Sequence, residues 1–154
     1  VLRLMPPSRP YEPAAVTNGR AWPEDQPNLW ISEPGLPQWL ELRWPSAQTI
    51  RTVIVAFDTN LDLRTDQRPA FHRTPECVRD WRLLARHDGG WRELYAESGN
   101  FLRHRRISVP MTTTDALRLE VLATNGAPEA RVYEMRVYAE ESSAQLFSLA
   151  TPSR

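Results

Sequence analysis

Seven short runs rich in β-branched and aromatic residues fill the chain from Trp39 onward: Trp39–Trp44, Thr49–Phe57, Val78–Arg86, Trp91–Glu97, Arg105–Val109, Ala116–Ala123 and Arg131–Tyr138. Two of them alternate at period two, Leu117, Leu119 and Val121 against Arg118 and Glu120, and Tyr133, Met135 and Val137 against Glu134 and Arg136. That period sends successive side chains to opposite faces, so each strand has one face for a core and one for water. Short half-buried strands separated by turn signals predict an all-β, jelly-roll-like antiparallel sandwich. Asp88-Gly89-Gly90 between two runs predicts a tight hairpin, because its turn demands positive φ.

Before these runs lies a lead, residues 1–15, with four prolines between Pro6 and Pro13; it reads as an extended, solvated linker or arm. Residues 16–139 read as the sandwich. The last stretch, 140–154, loses periodicity and reads as a tail. The connection Asp58–Pro75 is long, polar and Arg-containing, hence a functional candidate. Because the sequence opens at Val1, it reads as a piece of a longer polypeptide or a processed product.

A chain of 154 residues can bury one core without covalent staples, so one monomeric domain is expected. Its net charge is zero, which gives nucleic acid no electrostatic hold. No apolar run approaches the roughly 20 residues of a membrane-spanning helix. The single cysteine, Cys77, excludes an internal disulfide and reads as a small buried apolar group. All 19 basic side chains are arginine, which stacks on rings and hydrogen-bonds in a fork. Zinc ligation by His72, Cys77, His87 and His104 fails on spacing, and no Gly-x-Ser-x-Gly elbow or Gly-x-Gly-x-x-Gly turn is present. The domain is therefore expected to be non-catalytic.

Asn18-Gly19, Asn28-Leu29-Trp30-Ile31-Ser32 and Pro37-Gln38-Trp39-Leu40-Glu41-Leu42 resemble the opening of a discoidin-type (F5/8 type C, galactose-binding-like) domain. The ending Ala130–Tyr138 resembles that family's closing strand, and the resemblance spans Val16 to Tyr138. The wording of Asn28–Ser32, Phe57-Asp58-Thr59 and Pro75–Asp80 resembles, more narrowly, the C-terminal accessory domain of bacterial FAD-dependent oxidoreductases. The resemblance implies a carbohydrate-binding module. Its alternative is a structural domain docked on an upstream flavin-dependent catalytic domain without binding sugar.

It further implies a shallow site in loops at one end of the sandwich. Residues of suitable chemistry are Trp22, Asp58, Asn60, Arg64, His72, Arg103, His104 and Asn125, with Asn100 considered beside them. Trp22, next to Pro23 in a loop, is the aromatic expected at the surface, whereas Trp30 and Trp39 are expected in the core. The resemblance also implies a structural Ca²⁺ at Asn18, Gly19 and Glu134. Here Asn18 replaces the usual Asp, and Arg20 stands where a further ligand is frequent. The alternative for Glu134 is an ion pair with Arg131 or Arg136.

Overall fold

The computed structural model describes residues 11–23, 28–61 and 73–140; the candidate site residues Arg64 and His72, most of the lead and nearly all of the tail lie outside them. A 3₁₀ helix, Pro13–Thr17, is followed by strands β1 (Trp30–Ile31), β2 (Gln38–Phe57), β3 (Val78–His87), β4 (Gly90–Glu97), β5 (His104–Thr124) and β6 (Arg131–Tyr138). Their order is β1-β6-β2-β5-β3-β4, with antiparallel pairing throughout.

The expected runs therefore appear, with two pairs fused. Trp39–Trp44 and Thr49–Phe57 are the two halves of β2, and Arg105–Val109 and Ala116–Ala123 those of β5. The fusion follows from geometry: both strands shift register in the middle, between Arg43 and Gln48 and again between Ile50 and Thr52. Such irregularities bend a strand without ending it. The first half of β2 pairs with β5 alone, while its second half also pairs with β6. Each long strand thus serves both layers.

The layers meet over one core. Ile50, Val53, Val55, Phe57, Ile107 and Val132 come from one side and Leu40, Val78, Trp81, Leu83, Leu117, Leu119 and Val121 from the other, all in one buried cluster. Phe57 and Trp81 join the layers edge to face, ring centroids 5.3 Å apart. Tyr95 packs on the other side of the indole, also at 5.3 Å. Val16 of the 3₁₀ helix is fully buried in the same cluster, so the end of the expected extended lead is instead a helical plug begun by Pro13. Cys77 is buried, and burial above all pushes its thiol up to about 12, leaving it inert as a nucleophile.

At the predicted hairpin, Asp88 and Gly89 both have positive φ, 48° and 77°, between paired His87 and Gly90. Two expectations fail. Trp39 is 52% exposed, because Leu40 takes the inward position of the alternation and sends its neighbour outward. Tyr133 does not share the face of Met135. A register shift opposite Ala56–Phe57 adds a residue to β6, so Val132 and Met135 enter the main core while Tyr133 joins a separate cluster with Leu29 and Ala56.

Candidate functional site

One end of the sandwich gathers the segment leading to β1, the exits of β2, β4 and β5, and the entry to β3. Arg103 ties several of these together. Phe57 N–H donates to the Arg103 carbonyl (2.7 Å), Arg103 Nη1 donates back to the Phe57 carbonyl (2.9 Å), and Nη2 donates to the Ala21 carbonyl. Its guanidinium carbon lies 4.5 Å from the Tyr133 ring centroid and 5.1 Å from that of Trp22. Burial lowers the guanidinium pKa, opposed by the electrostatic influence of Tyr133 and Asp58, and arginine stays charged at any biological pH.

Trp22 is 63% exposed, although its backbone is fixed through the Asn28 amide, which donates to the Trp22 carbonyl. A flat ring is thus offered to solvent from a held position. Asn28 itself is buried, and its Oδ1 has no hydrogen-bond partner among the described residues.

Asp58 follows Phe57 directly and is buried. Its N–H donates to the Arg131 carbonyl (3.3 Å), its Oδ1 accepts from Asn60 N–H (2.7 Å), and Oδ2 lies 3.5 Å from Arg131 Nη1. Burial raises its pKa, only partly countered by Asn60 and Arg131. Asn60, at φ 51°, donates from Nδ2 to Glu76 Oε1 (3.1 Å); the other carboxylate oxygen, Glu76 Oε2, is buried without a partner among the described residues. Thr74 Oγ1, two residues away, is buried and likewise unpartnered among them.

The structure thus brings four of the expected residues, Trp22, Asp58, Asn60 and Arg103, into one linked set, and adds Tyr133, Glu76 and Arg131. His104 opens β5 opposite Ala56 and is exposed beside Arg103. Asn125 faces inward to the loops: its Nδ2 donates to the carbonyls of Cys77 (3.0 Å) and Asn100 (3.1 Å). Asn100 is buried and bonded to Val78 and Leu102 carbonyls, so both asparagines brace loops. Tyr133 was missed because only the bulge in β6 turns it toward Arg103. Glu76 and Arg131 lie within stretches that resemble the family, but their link to Asn60 and Asp58 comes from pairing across the fold.

Of the three positions read as calcium donors, Asn18 and Glu134 have side chains engaged otherwise. Asn18 Oδ1 accepts the Arg20 N–H (2.8 Å) in an Asx turn completed by Gly19 at φ 80°. Glu134 is buried, and its Oε1 is held by Arg136 at 2.6 Å. Among the described residues no group of three or more His, Cys, Asp or Glu side chains could hold a metal. A Ca²⁺ ion here would have to draw on backbone carbonyls and take Glu134 from Arg136.

No family model matches the chain, and no curated protein matches it. Among solved structures it is similar to the family 32 carbohydrate-binding module of Streptococcus pneumoniae EndoD, with TM-score 0.67, 18% identity, and 89% of this chain and 92% of that one covered. It is also similar to chitosan-binding module 2, in complex with chitotriose, of a chitosanase/glucanase from Paenibacillus sp. IK-5, with TM-score 0.63, 18% identity, and coverage of 85% and 88%. In SpGH29 the similar region, at TM-score 0.64 and 18% identity, covers 87% of this chain but 25% of that one. These likenesses establish the β-sandwich fold.

Proposed function

We propose that the chain is a non-catalytic carbohydrate-binding module whose loop end takes a sugar against Trp22. The observation that carries this reading is an indole 63% exposed, yet fixed from beneath by Arg103 and Asn28, in the midst of polar loop groups. Exposing so large an apolar ring is unfavourable unless a partner covers it, and a flat aromatic face matches the C–H face of a pyranose. Arg103 lies against the ring, and the linked groups Asp58, Asn60 and Glu76 are proposed to supply further donors and acceptors for hydroxyl groups. His104, exposed beside Arg103, is proposed for the rim. The fold's similarity to sugar-binding modules supports the same reading, as does its match to a minor part of the larger SpGH29 chain.

In this reading the module directs a larger bacterial enzyme to a glycan. A flavin-dependent parent follows from the narrower resemblance of Asn28–Ser32 and Pro75–Asp80. Isothermal titration against a saccharide panel tests the proposal. Saturable binding at about 1 mM or tighter, roughly −4 kcal/mol, is expected from the wild type and is lost in W22A. Binding of no saccharide would leave the docking alternative.

A further inference from the structure

We propose a second sugar-binding surface, away from the loop end, in a groove along the open edge of β2 beside Trp39; it takes a glycan chain bearing protonated amino groups. The inference rests on the carbohydrate-binding reading but on different residues.

Residues 38–43 of β2 pair with β5 on one side, and the register with β6 begins only at Thr52, so among the described residues this half-strand is an edge. Alternation sends Leu40 into the core and Trp39, Glu41 and Arg43 outward. The Trp39 indole is then held from the side. Arg118 of β5 places its guanidinium carbon 4.3 Å from the Trp39 ring centroid and 4.1 Å from that of Trp91, while donating to Glu41 Oε2 at 3.0 Å. Glu41 also accepts from Arg43, and Arg82 of the neighbouring β3 bonds Glu120. The ring is half exposed but braced, so covering it costs little ordering of the protein.

Beside it lie two adjoining clefts that share Pro13. One, of about 390 Å³, is lined by Pro13, Trp39, Glu41 and Arg43. The other, of about 510 Å³, continues past Gln38 to Tyr11, Glu12 and Glu33. Tyr11, 41% exposed, adds a second ring to the larger cleft. Two adjoining open clefts suit a chain of several sugar units rather than one terminal residue.

Charge selects the occupant. Three carboxylates, Glu12, Glu33 and Glu41, line the clefts with the guanidinium of Arg43, and a second guanidinium, that of Arg118, stacks on the Trp39 ring. Glu41 is engaged by Arg118 and Arg43, whereas no ion pair holds Glu12 or Glu33 among the described residues. Ammonium groups along the ligand meet these two acids, and an anionic polysaccharide is repelled.

The test titrates the whole chain with a β-1,4-linked glucosamine trimer and its N-acetylated counterpart, in mildly acidic buffer where the amines are charged. The amino trimer should bind, W39A should weaken it about tenfold or more with folding unchanged by circular dichroism, and W22A should leave it intact. The E12Q/E33Q double variant should lose the preference for the amino trimer and most of its salt dependence. Unchanged binding by W39A, equal binding of the acetylated trimer, or equally tight binding of trilysine would each overturn the groove. If W22A abolishes all sugar binding while W39A does nothing, this inference falls and the loop-end reading stands. If neither variant matters because no sugar binds, both fall.

Discussion

Arg103 hydrogen-bonds the carbonyl of Phe57 at 2.9 Å, the residue that immediately precedes Asp58, and the same guanidinium carbon lies 5.1 Å from the Trp22 ring. One side chain therefore sets both the aromatic platform and the position of the neighbouring acid. R103K keeps the charge but loses the planar fork and the ring stacking. It should bind sugar at least tenfold more weakly and lower the melting temperature, by about 2–4 °C for each kcal/mol lost in a domain of this size. W22A removes only the exposed ring and should leave the melting temperature nearly unchanged. Paired thermal melts and titrations of the two variants measure this difference.

The contact between Phe57 and Trp81 links the two layers, and both side chains are fully buried. W81A should destabilise by about 3–5 kcal/mol in urea unfolding, the usual cost of deleting a large core aromatic. W81F should cost clearly less. It retains an aromatic partner for Phe57 and removes a buried indole N–H that has no hydrogen-bond partner among the described residues.

Strand content was readable because period-two alternation reports a half-buried strand directly, and β6 spans the Arg131–Tyr138 run as expected. What the alternation does not encode is a bulge. One additional residue in β6 turns Tyr133 away from Met135 and under Arg103, and nothing in the order Val132-Tyr133-Glu134-Met135 marks where the slip falls. Trp39 is the opposite case. Its position between Gln38 and Leu40 already placed it outward, but the size of the indole outweighed the alternation in the reading. Trp22, Asp58, Asn60 and Arg103 were recognisable as loop residues with sugar-binding chemistry; their convergence depends on pairings between segments far apart in sequence.

Burial raises the pKa of Asp58 above its ordinary 3.8. As pH climbs past 3.8 the unfolded chain releases this proton while the folded protein retains it, so folding stability falls with rising pH until the folded carboxyl also ionises. Relative to D58N, which keeps the shape and cannot titrate, the wild type should lose stability across that window and level off above it. Urea unfolding of both proteins at intervals from acid to neutral pH reads the difference. A wild type that gains on D58N through the window would contradict the assignment.

With Glu134 held by Arg136 and Asn18 closing its own turn, added calcium should not stabilise the fold. Melting temperatures in excess calcium and in a chelator should coincide. A rise of several degrees with calcium would mean that the ion displaces Arg136 and that the calcium expectation is correct.

The central claim is that a sugar covers Trp22, and the most direct measurement is an NMR titration following the indole N–H signals of the six tryptophans, each assigned by substitution. With a saccharide that binds the loop end, the Trp22 signal should shift progressively and saturate, while those of buried Trp30 and Trp81 stay in place. A saccharide panel carried to millimolar concentration that leaves the Trp22 signal unmoved would contradict the account.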